Sequence, residues 1–407
     1  MNLNLDYVRK QFPALSGEWT FMDNAGGSQT LKPVADRIYE YLLNTNVQLG
    51  ASYQVSRVAT KRVDDARKKM VEFVNAREDS EIIFGSSTTM LVRILSLCIS
   101  QNWKEGDEVI VTNCDHEANI GAWRDLEKKG MVIKEWRINP DTFRMETEDL
   151  KKLLTDKTKL VAVTHTSNIL GTLNPIKDYA KVVHDNGSLI CIDGVAHAPH
   201  RMIDVQDTDV DFYVFSFYKV YGPHMAMMYG RKELLLNMPG INHFFITNDD
   251  VPYKFQPGSV NYELSYGLMG IEEYVNGIAK VHGKEGSFRD NTEFSFRLFA
   301  EHEEVLAKTL LDYLNPKNNV KIIGETNYSK DLRVPTVAFM VDNTKSDSIV
   351  LKVDESKIGI RFGDFYARHL IDDLGLAERN GVVRVSLVHY NTTEEVNNLI
   401  VALDKII

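Results

Sequence analysis

The hydrophobic and polar positions between residues 80 and 230 alternate between short apolar runs and longer amphipathic stretches. The amphipathic stretches, such as residues 59–75, 89–99 and 178–185, repeat apolar side chains at helical spacing. The apolar runs predict strands at residues 81–84, 108–112, 131–136, 159–164, 188–192, 212–215 and 225–229. Strands that alternate with helices form βαβ units, so the pattern predicts an α/β fold with a mostly parallel sheet.

The pattern changes towards the C-terminus. Residues 242–258 are rich in Asn, Asp, Pro and aromatic side chains and predict a long irregular loop. Helical spacing returns at residues 268–281 and 292–314, and short strands at residues 336–340 and 382–387 then predict a smaller α+β domain.

The length of 407 residues predicts two domains, because single hydrophobic cores rarely grow beyond about 300 residues. We expect a large domain over residues 21–275 and a small C-terminal domain over residues 276–407. Residues 1–20 are expected to form an N-terminal segment that packs with the small domain.

The composition and charge of the chain argue against several classes of function. The net charge of -10 and the pI near 5.6 argue against nucleic-acid binding, which normally uses a basic face. Cys98, Cys114 and Cys191 cannot all pair, and none has metal-ligand spacing, so we expect reduced thiols and no metal. The N-terminus lacks a signal-peptide pattern and no apolar run is long enough to cross a bilayer, which predicts a cytoplasmic protein without a membrane partner.

Two chemically distinctive residues follow predicted strands. Lys219 comes soon after the run at residues 212–215, and Asp193 directly follows the run at residues 188–192. Ligands of α/β proteins bind at the carboxyl ends of strands. An amine that forms a Schiff base and a carboxylate that holds a pyridinium proton are the two groups that a pyridoxal 5'-phosphate (PLP) enzyme supplies. A solvated loop lysine explains Lys219 equally well, and a helix N-cap is the alternative for Asp193.

Further along the chain, three features suggest ligand contacts. Gly85-Ser86-Ser87-Thr88 lies between a predicted strand and a predicted helix, where amides and hydroxyls face an anion, although an ordinary capping turn has the same pattern. Arg384 lies in an otherwise apolar strand and needs an anionic partner, since a buried unpaired guanidinium is costly. His116 follows the strand at residues 108–112, but a lone histidine is more often structural.

These residues lie in stretches that resemble the class V aminotransferase family, and within it the cysteine desulfurase and selenocysteine lyase branch. The resemblance runs through almost the whole chain. The matching stretches are Asp23 to Gly27, Gly85 to Thr88, His116 to Asn119, Ser167 to Thr172, Asp193-Gly194, Ser216 to Pro223, Arg384 to Leu387 and Tyr390-Asn391. The resemblance implies the PLP-dependent transferase fold type I, PLP as cofactor and a small amino acid as substrate.

The resemblance also implies roles for individual residues. Lys219 is expected to hold the cofactor as an internal aldimine and to move the Cα proton, Asp193 to keep the pyridine nitrogen protonated, and His116 to stack on the cofactor ring; these three are the expected catalytic residues. The expected cofactor-binding residues are Ser86, Ser87, His116, Asn168, Asp193, Ser216, Tyr218, Lys219 and Ser259.

Substrate and partner contacts follow from the same resemblance. The expected substrate-binding residues are Arg361, Tyr366, Asn168 and Arg384, with Arg384 on the α-carboxylate. Ser259 corresponds to a residue that reaches the phosphate in the neighbouring subunit, so the resemblance implies a homodimer.

The chain departs from the desulfurase pattern at the site. Tyr366 stands where the desulfurases carry their catalytic cysteine, and none of the three cysteines lies in that stretch, so persulfide formation lacks a nucleophile. Ala196 replaces a glutamine or histidine that contacts the phenolic oxygen of the cofactor, and Tyr218 replaces a histidine. We therefore predict a PLP enzyme that forms an external aldimine, deprotonates Cα and cleaves a C–S bond by β-elimination, without forming a persulfide.

Alternatives stay open at this point. One is an aminotransferase or epimerase of the same family, and another is a non-catalytic binding protein with the PLP fold, against which the retained Lys219, Asp193 and Arg384 argue. A third is a metal hydrolase built on acids and histidines near strand ends, although Pro199 between His197 and His200 argues against a helix that would align them.

Overall fold

The structure is a computed structural model that describes residues 2–407. The strands are β1 (Thr20–Phe21), β2 (Ile82–Gly85), β3 (Glu108–Thr112), β4 (Val132–Trp136), β5 (Thr158–Thr164), β6 (Leu189–Asp193), β7 (Phe212–Ser216), β8 (Ala226–Gly230), β9 (Val320–Ile323), β10 (Thr336–Val341), β11 (Ile358–Gly359), β12 (Arg361–Gly363) and β13 (Val382–Ser386). The helices are α1 (Leu5–Lys10), α2 (Lys32–Asn44), α3 (Gln54–Val74), α4 (Thr88–Ile99), α5 (Gly121–Arg124), α6 (Thr147–Leu153), α7 (Ile176–Asp185), α8 (Lys232–Asn237), α9 (Tyr262–Gly267), α10 (Met269–Val281), α11 (Phe288–Leu314), α12 (Ser346–Asp354), α13 (Arg368–Asp373) and α14 (Thr393–Leu403).

The larger sheet has seven strands in the order β2-β8-β7-β6-β5-β3-β4. Only β8 runs antiparallel to its neighbours, and the other pairs are parallel. The predicted α/β fold with a mostly parallel sheet is therefore confirmed. Parallel strands place their carboxyl ends at one edge, and β5, β6 and β7 are adjacent there.

Both faces of this sheet are buried, which explains why its strands are continuous apolar runs. Along β6, Ile190 and Ile192 point into one hydrophobic cluster and Cys191 points into the other. The alternation follows from the two-residue repeat of a strand. Helices cover each face, so polar side chains can meet solvent or a ligand at the ends of the strands.

The smaller sheet is antiparallel, with the order β12-β13-β10-β9, and β1 and β11 form a separate parallel pair. Helix α11 extends from the large sheet to a third hydrophobic cluster at the small sheet. Phe296 and Phe299 pack in the core of the large sheet, and Leu306 and Leu310 pack in the third cluster. The domain boundaries at residues 20 and 275 stay predictions. Among residues 2–407, no helix has the length and apolar character needed to span a bilayer.

Candidate active site

A cleft lies at the carboxyl ends of β5, β6 and β7. The pairing of β5 with β6 fixes the floor of the cleft, because Thr164 at the end of β5 lies directly beside Asp193 at the end of β6. Lys219 ends a short 3-10 turn that directly follows β7. The cleft is lined by Ser87, Thr88, Thr89, His116, Ala118, Thr164, Thr166, Asn168, Asp193, Val195, Ala196, Ser216, Tyr218 and Lys219.

Lys219 is a buried amine, with only 5% of its surface exposed. Burial and the nearby guanidinium of Arg384 lower the pKa of Lys219 to about 8, although Asp193 and Asp23 act in the opposite direction. About a tenth of the amine is then neutral at pH 7, compared with a few parts in ten thousand for an exposed lysine. The structure thus places at this position an amine that is available both as a nucleophile and as a base.

Asp193 faces the same cleft from the end of β6. Its Oδ1 accepts a hydrogen bond of 2.8 Å from the Val195 backbone N–H. Burial raises the pKa of Asp193, while the Val195 N–H and the Lys219 charge act to lower it. A Cβ on Gly194 would lie 2.1 Å from the Tyr213 ring, so this turn requires a glycine. The carboxylate is therefore held rigidly at one point of the cleft.

The start of α4 lies at one end of the cleft. Ser87 is the N-cap, and its hydroxyl accepts a hydrogen bond of 3.2 Å from the Met90 N–H. The hydroxyls of Thr88 and Ser216 lie 2.7 Å apart. The first N–H groups of a helix point outward and attract negative charge. Thr88 and Thr89 received no individual role from the sequence, although their place in the first helical turn was the available signal.

His116 and Tyr218 contribute aromatic rings to the cleft. Burial, Lys219 and Arg384 lower the pKa of His116 to about 4, so its imidazole is neutral at physiological pH. Its Nδ1 accepts a 3.0 Å hydrogen bond from the Ala118 N–H, which fixes the ring orientation. The Tyr218 ring is parallel to the ring of His224, with centroids 5.1 Å apart.

Arg384 lies beside the cleft on β13 and is buried. Its Nη2 donates to Asp23 Oδ1 at 2.7 Å and its Nη1 donates to the Asn168 carbonyl at 3.1 Å. The ring of Phe365 covers the guanidinium face at 3.7 Å. The anionic partner that the sequence requires is thus Asp23, a residue to which the sequence assigned no role, although its motif was matched.

The residues that follow β12, 364–367, form a loop whose Phe365 covers this arginine. The Asn168 side chain donates to the Phe365 carbonyl at 2.9 Å, and the Glu117 N–H donates to the Tyr366 carbonyl at 2.7 Å. Phe365 and Tyr366 both have left-handed backbones, with φ of 52° and 60°. The Tyr366 side chain is 68% exposed, and its ring centroid lies 5.3 Å from that of His116.

Other predicted residues lie outside the cleft. Ser86 and Ser259 line a separate, neighbouring cleft. His197 stacks on His165 with centroids 3.5 Å apart, and its Nδ1 lies 3.2 Å from the Thr166 hydroxyl, which lines the Lys219 cleft beside Ala196. Thr166 was not among the predicted residues, although it lies one residue before the matched stretch that begins at Ser167.

The structure also shows where the candidate metal ligands and the three cysteines lie. His200 pairs with buried Glu303 at 2.9 Å, and residues 2–407 contain no group of three metal-ligating side chains. Within the same residues, no cysteine lines the cleft or its covering loop. All three thiols are buried, and burial raises their pKa, in Cys98 to about 12.

The donor set of the cleft fits one kind of ligand. It offers an amine for a carbonyl, a carboxylate for a protonated ring nitrogen, and hydroxyls with a helix N-terminus for a phosphate. A neutral imidazole at its wall provides a flat surface for an aromatic ring. These are the groups that PLP needs.

Comparisons with known proteins agree with this chemistry. The family model described as Aminotransferase class-V matches residues 20–399. The chain is 43% identical to the aminotransferase-like protein FGM3 of Gibberella zeae, over 100% of this chain and 99% of that one. It is 33% identical to the cysteine desulfurase-like protein ustD of Aspergillus flavus, over 100% and 91%. The structure of a cysteine desulfurase from Thermococcus onnurineus NA1 aligns with a TM-score of 0.87 and 25% identity, over 100% and 98%.

These findings confirm the resemblance inferred from the sequence, the fold type I architecture and PLP as the cofactor. The protein is a PLP-dependent enzyme, and its fold is shared with the cysteine desulfurases. The chain belongs to the class V aminotransferase family.

Proposed function

We propose that this enzyme is a C–S lyase that eliminates a thiol or sulfide from a sulfur-bearing amino acid and does not form an enzyme persulfide. The observation that carries the proposal is the position of Tyr366, which lies beside His116 on the loop over the site, where a persulfide-forming enzyme needs a thiol. The three cysteines lie in the hydrophobic clusters, and burial raises their pKa. A buried thiol is a poor nucleophile because the thiolate is the reactive form.

The residues proposed to hold PLP are those with the matching chemistry. Lys219 would carry the cofactor carbonyl, and Asp193 would face the ring nitrogen. Thr88 and Ser216, whose hydroxyls lie 2.7 Å apart, would bind the phosphate with Ser87 at the start of α4. The neutral imidazole of His116 would lie against the ring. When bound, PLP supplies an electron sink for the charge left on a substrate carbon.

Two side chains of the protein carry out the two proton transfers of the proposed reaction. Lys219 Nζ takes the Cα proton, which its lowered pKa of about 8 favours near neutral pH. Arg384 holds the α-carboxylate, with Asn168 beside it on the same side of the cleft. Tyr366 gives a proton to the leaving sulfur, because its hydroxyl is a donor and its ring lies 5.3 Å from that of His116, which lines the cleft.

The balance of atoms separates elimination from desulfuration. Elimination converts L-cysteine and water into pyruvate, ammonia and hydrogen sulfide, with no oxidant or reductant. Persulfide formation converts L-cysteine and an enzyme thiol into L-alanine and an enzyme persulfide. The identity of the three-carbon product therefore reports which reaction takes place.

We also propose a homodimer in which Ser259 contributes to the neighbouring site. Ser259 and Ser86 line a cleft next to the start of α4. Met90, which lines the same cleft, has an apolar side chain that is 47% exposed. A second copy of the chain would cover this surface and bring Ser259 to the phosphate end of the partner's site.

The experiment is to record the visible absorption of wild type and Lys219→Ala with added PLP, then add L-cysteine and assay pyruvate and L-alanine. We expect the absorption band of lysine-bound PLP only in wild type, together with pyruvate. A band with substrate consumption but without pyruvate would indicate aminotransfer or epimerisation. L-Alanine as the main product would overturn the proposal.

A further inference from the structure

The substrate arginine of the proposed function already has a carboxylate partner within the chain. Asp23 Oδ1 accepts a hydrogen bond of 2.7 Å from Arg384 Nη2. Phe365 covers one face of the guanidinium at 3.7 Å, and a carboxylate binds a guanidinium along its N–H edge. Asp23 therefore occupies part of the edge that a substrate carboxylate needs.

Asp23 also lies next to a second guanidinium. Its Oδ2 is 3.7 Å from Arg361 Nη1, a distance that allows an ion pair but is too long for a hydrogen bond. Arg361 and Arg384 are directly opposite in the β12–β13 pair, so both side chains project from the same face of the sheet. The Arg384 side chain is 2% exposed and the Arg361 side chain is 55% exposed.

The backbone of Asp23 is fixed while its side chain is partly free. Asp23 bridges Ser386, the Asn24 N–H donates to the Ser386 carbonyl at 3.2 Å, and the Gly26 N–H donates to the Asp23 carbonyl at 2.9 Å. The Asp23 side chain is 30% exposed. A shift of about 1 Å in its carboxylate would bring it within the 2.7–2.9 Å typical of a charge-assisted bond to Arg361.

We propose that Asp23 competes with the substrate α-carboxylate for Arg384 and, when displaced, pairs with Arg361. This inference rests on the proposed role of Arg384. A buried guanidinium does not hold two carboxylates well, because the second negative charge has no cation to balance it. Arg361 supplies that cation after the exchange. Asp23 thereby lowers the affinity for simple carboxylates, and Arg361 acts as a positioning residue through Asp23.

The test uses propionate, which carries a carboxylate but no amine, titrated calorimetrically into the holoenzyme. If Arg384 is open only about a tenth of the time, Asp23→Asn lowers the propionate Kd about tenfold. Arg361→Gln raises the Kd about fivefold when Asp23 is present and less than about twofold in the Asp23→Asn background. Asp185→Asn removes an exposed carboxylate paired with Lys181 and serves as the control with an unchanged Kd.

Kinetics give a second readout that a merely structural role would not produce. In Asp23→Asn we expect the KM for the amino-acid substrate to fall about fivefold, with kcat changed less than about twofold. An equal effect of Arg361→Gln in both backgrounds would show that Arg361 binds the ligand directly and would overturn the proposal. Unchanged or weaker propionate binding in folded Asp23→Asn would also overturn it.

Two further measurements separate the possible failures. If Arg384→Gln binds propionate as well as wild type does, the proposed role of Arg384 fails. If Arg384→Gln loses binding and Asp23→Asn does not tighten it, only the competition fails. A crystal structure of wild type with propionate needs no variant: Asp23 within hydrogen-bonding distance of Arg361 is expected, and Asp23 still bonded to Arg384 beside bound propionate would contradict the exchange.

Discussion

The cleft at the edge of the large sheet and the loop that covers Arg384 are built in opposite ways. Lys219 and Asp193 are almost completely buried and lie at or just beyond the ends of central strands. Tyr366 and Arg361 are largely exposed. The groups proposed for general PLP chemistry thus lie buried at the ends of sheet strands, whereas Tyr366, the group proposed to act on the leaving sulfur, is an exposed side chain on the residues that follow β12.

The backbone shows the same contrast. Left-handed φ values at two consecutive non-glycine residues, Phe365 and Tyr366, cost roughly 1–3 kcal/mol each. This conformation is held by the Asn168 and Glu117 hydrogen bonds and by the contact of Phe365 with Arg384. The strands of the cleft need no such support, because their hydrogen bonds lie within the sheet.

The largest effect is expected when the carboxylate of Asp193 is removed from the cleft. Asp193→Asn should lower kcat/KM about a thousandfold, because a neutral amide does not stabilise a protonated ring nitrogen. Steady-state kinetics of the PLP-loaded variant measure this. Asp207→Asn, which removes an exposed partner of Lys177, is the matched control. A loss below about tenfold in Asp193→Asn would mean that the sheet edge does not carry the chemistry.

The buried amine predicts a pH-dependent stability in the PLP-free protein. Burial lowers the pKa of Lys219 in the folded protein to about 8 from its ordinary value of 10.5, so the folded state disfavours the charged form. The resulting penalty is complete below pH 8 and is relieved as the pH rises towards 10.5. Lys219→Met should therefore raise the free energy of unfolding by about 3 kcal/mol at pH 7 and by less than about 1 kcal/mol at pH 10.

Urea unfolding of the PLP-free wild type and Lys219→Met at both pH values checks this. Lys254→Met is not a suitable control, because the Lys254 ammonium binds the Met238 and Asn248 carbonyls, each at 2.8 Å. Exposed Lys181→Met is suitable, and its effect should not depend on pH over this range. If Lys219→Met raised the free energy of unfolding equally at pH 7 and pH 10, burial would not be what destabilises the charged amine.

Much of the sheet-edge region was predictable from the sequence. Apolar runs buried on two faces have a strong pattern, and polar residues after them, such as Asp193 and Lys219, fall at one edge once the strands are parallel. The loop was different. Its left-handed residues are not glycines, and the contacts of Phe365 with Arg384 and of Asp23 with both arginines join segments far apart in sequence. No local pattern contains that information.

The role proposed for the Tyr366 hydroxyl predicts a smaller effect that depends on the leaving group. Tyr366→Phe should lower kcat about thirtyfold with L-cysteine, because the leaving sulfur then lacks its proton donor. With β-chloro-L-alanine, whose chloride leaves without a proton, the loss should stay below about threefold. Equal losses for both substrates in a pyruvate assay would contradict the proton-donor role.

The smallest effect concerns the aromatic cover of Arg384. Phe365→Leu keeps an apolar side chain but removes the ring that lies 3.7 Å from the guanidinium. Loss of this cation–π contact should raise the KM about fivefold, which corresponds to about 1 kcal/mol. Phe294→Leu is a matched control, because its ring contacts Arg297 at 5.4 Å on α11, away from the site. Equal KM values in the two variants would show that Phe365 does not contribute to substrate binding.

The proposed elimination uses no thiol of this chain. Replacing Cys98, Cys114 and Cys191 together with alanine, and measuring pyruvate and L-alanine formed from L-cysteine, tests this. We predict that a folded, PLP-loaded triple variant forms pyruvate at the wild-type ratio to L-alanine, with pyruvate dominant in both. A wild-type enzyme that forms mainly L-alanine, and loses this product in the triple variant, would contradict it.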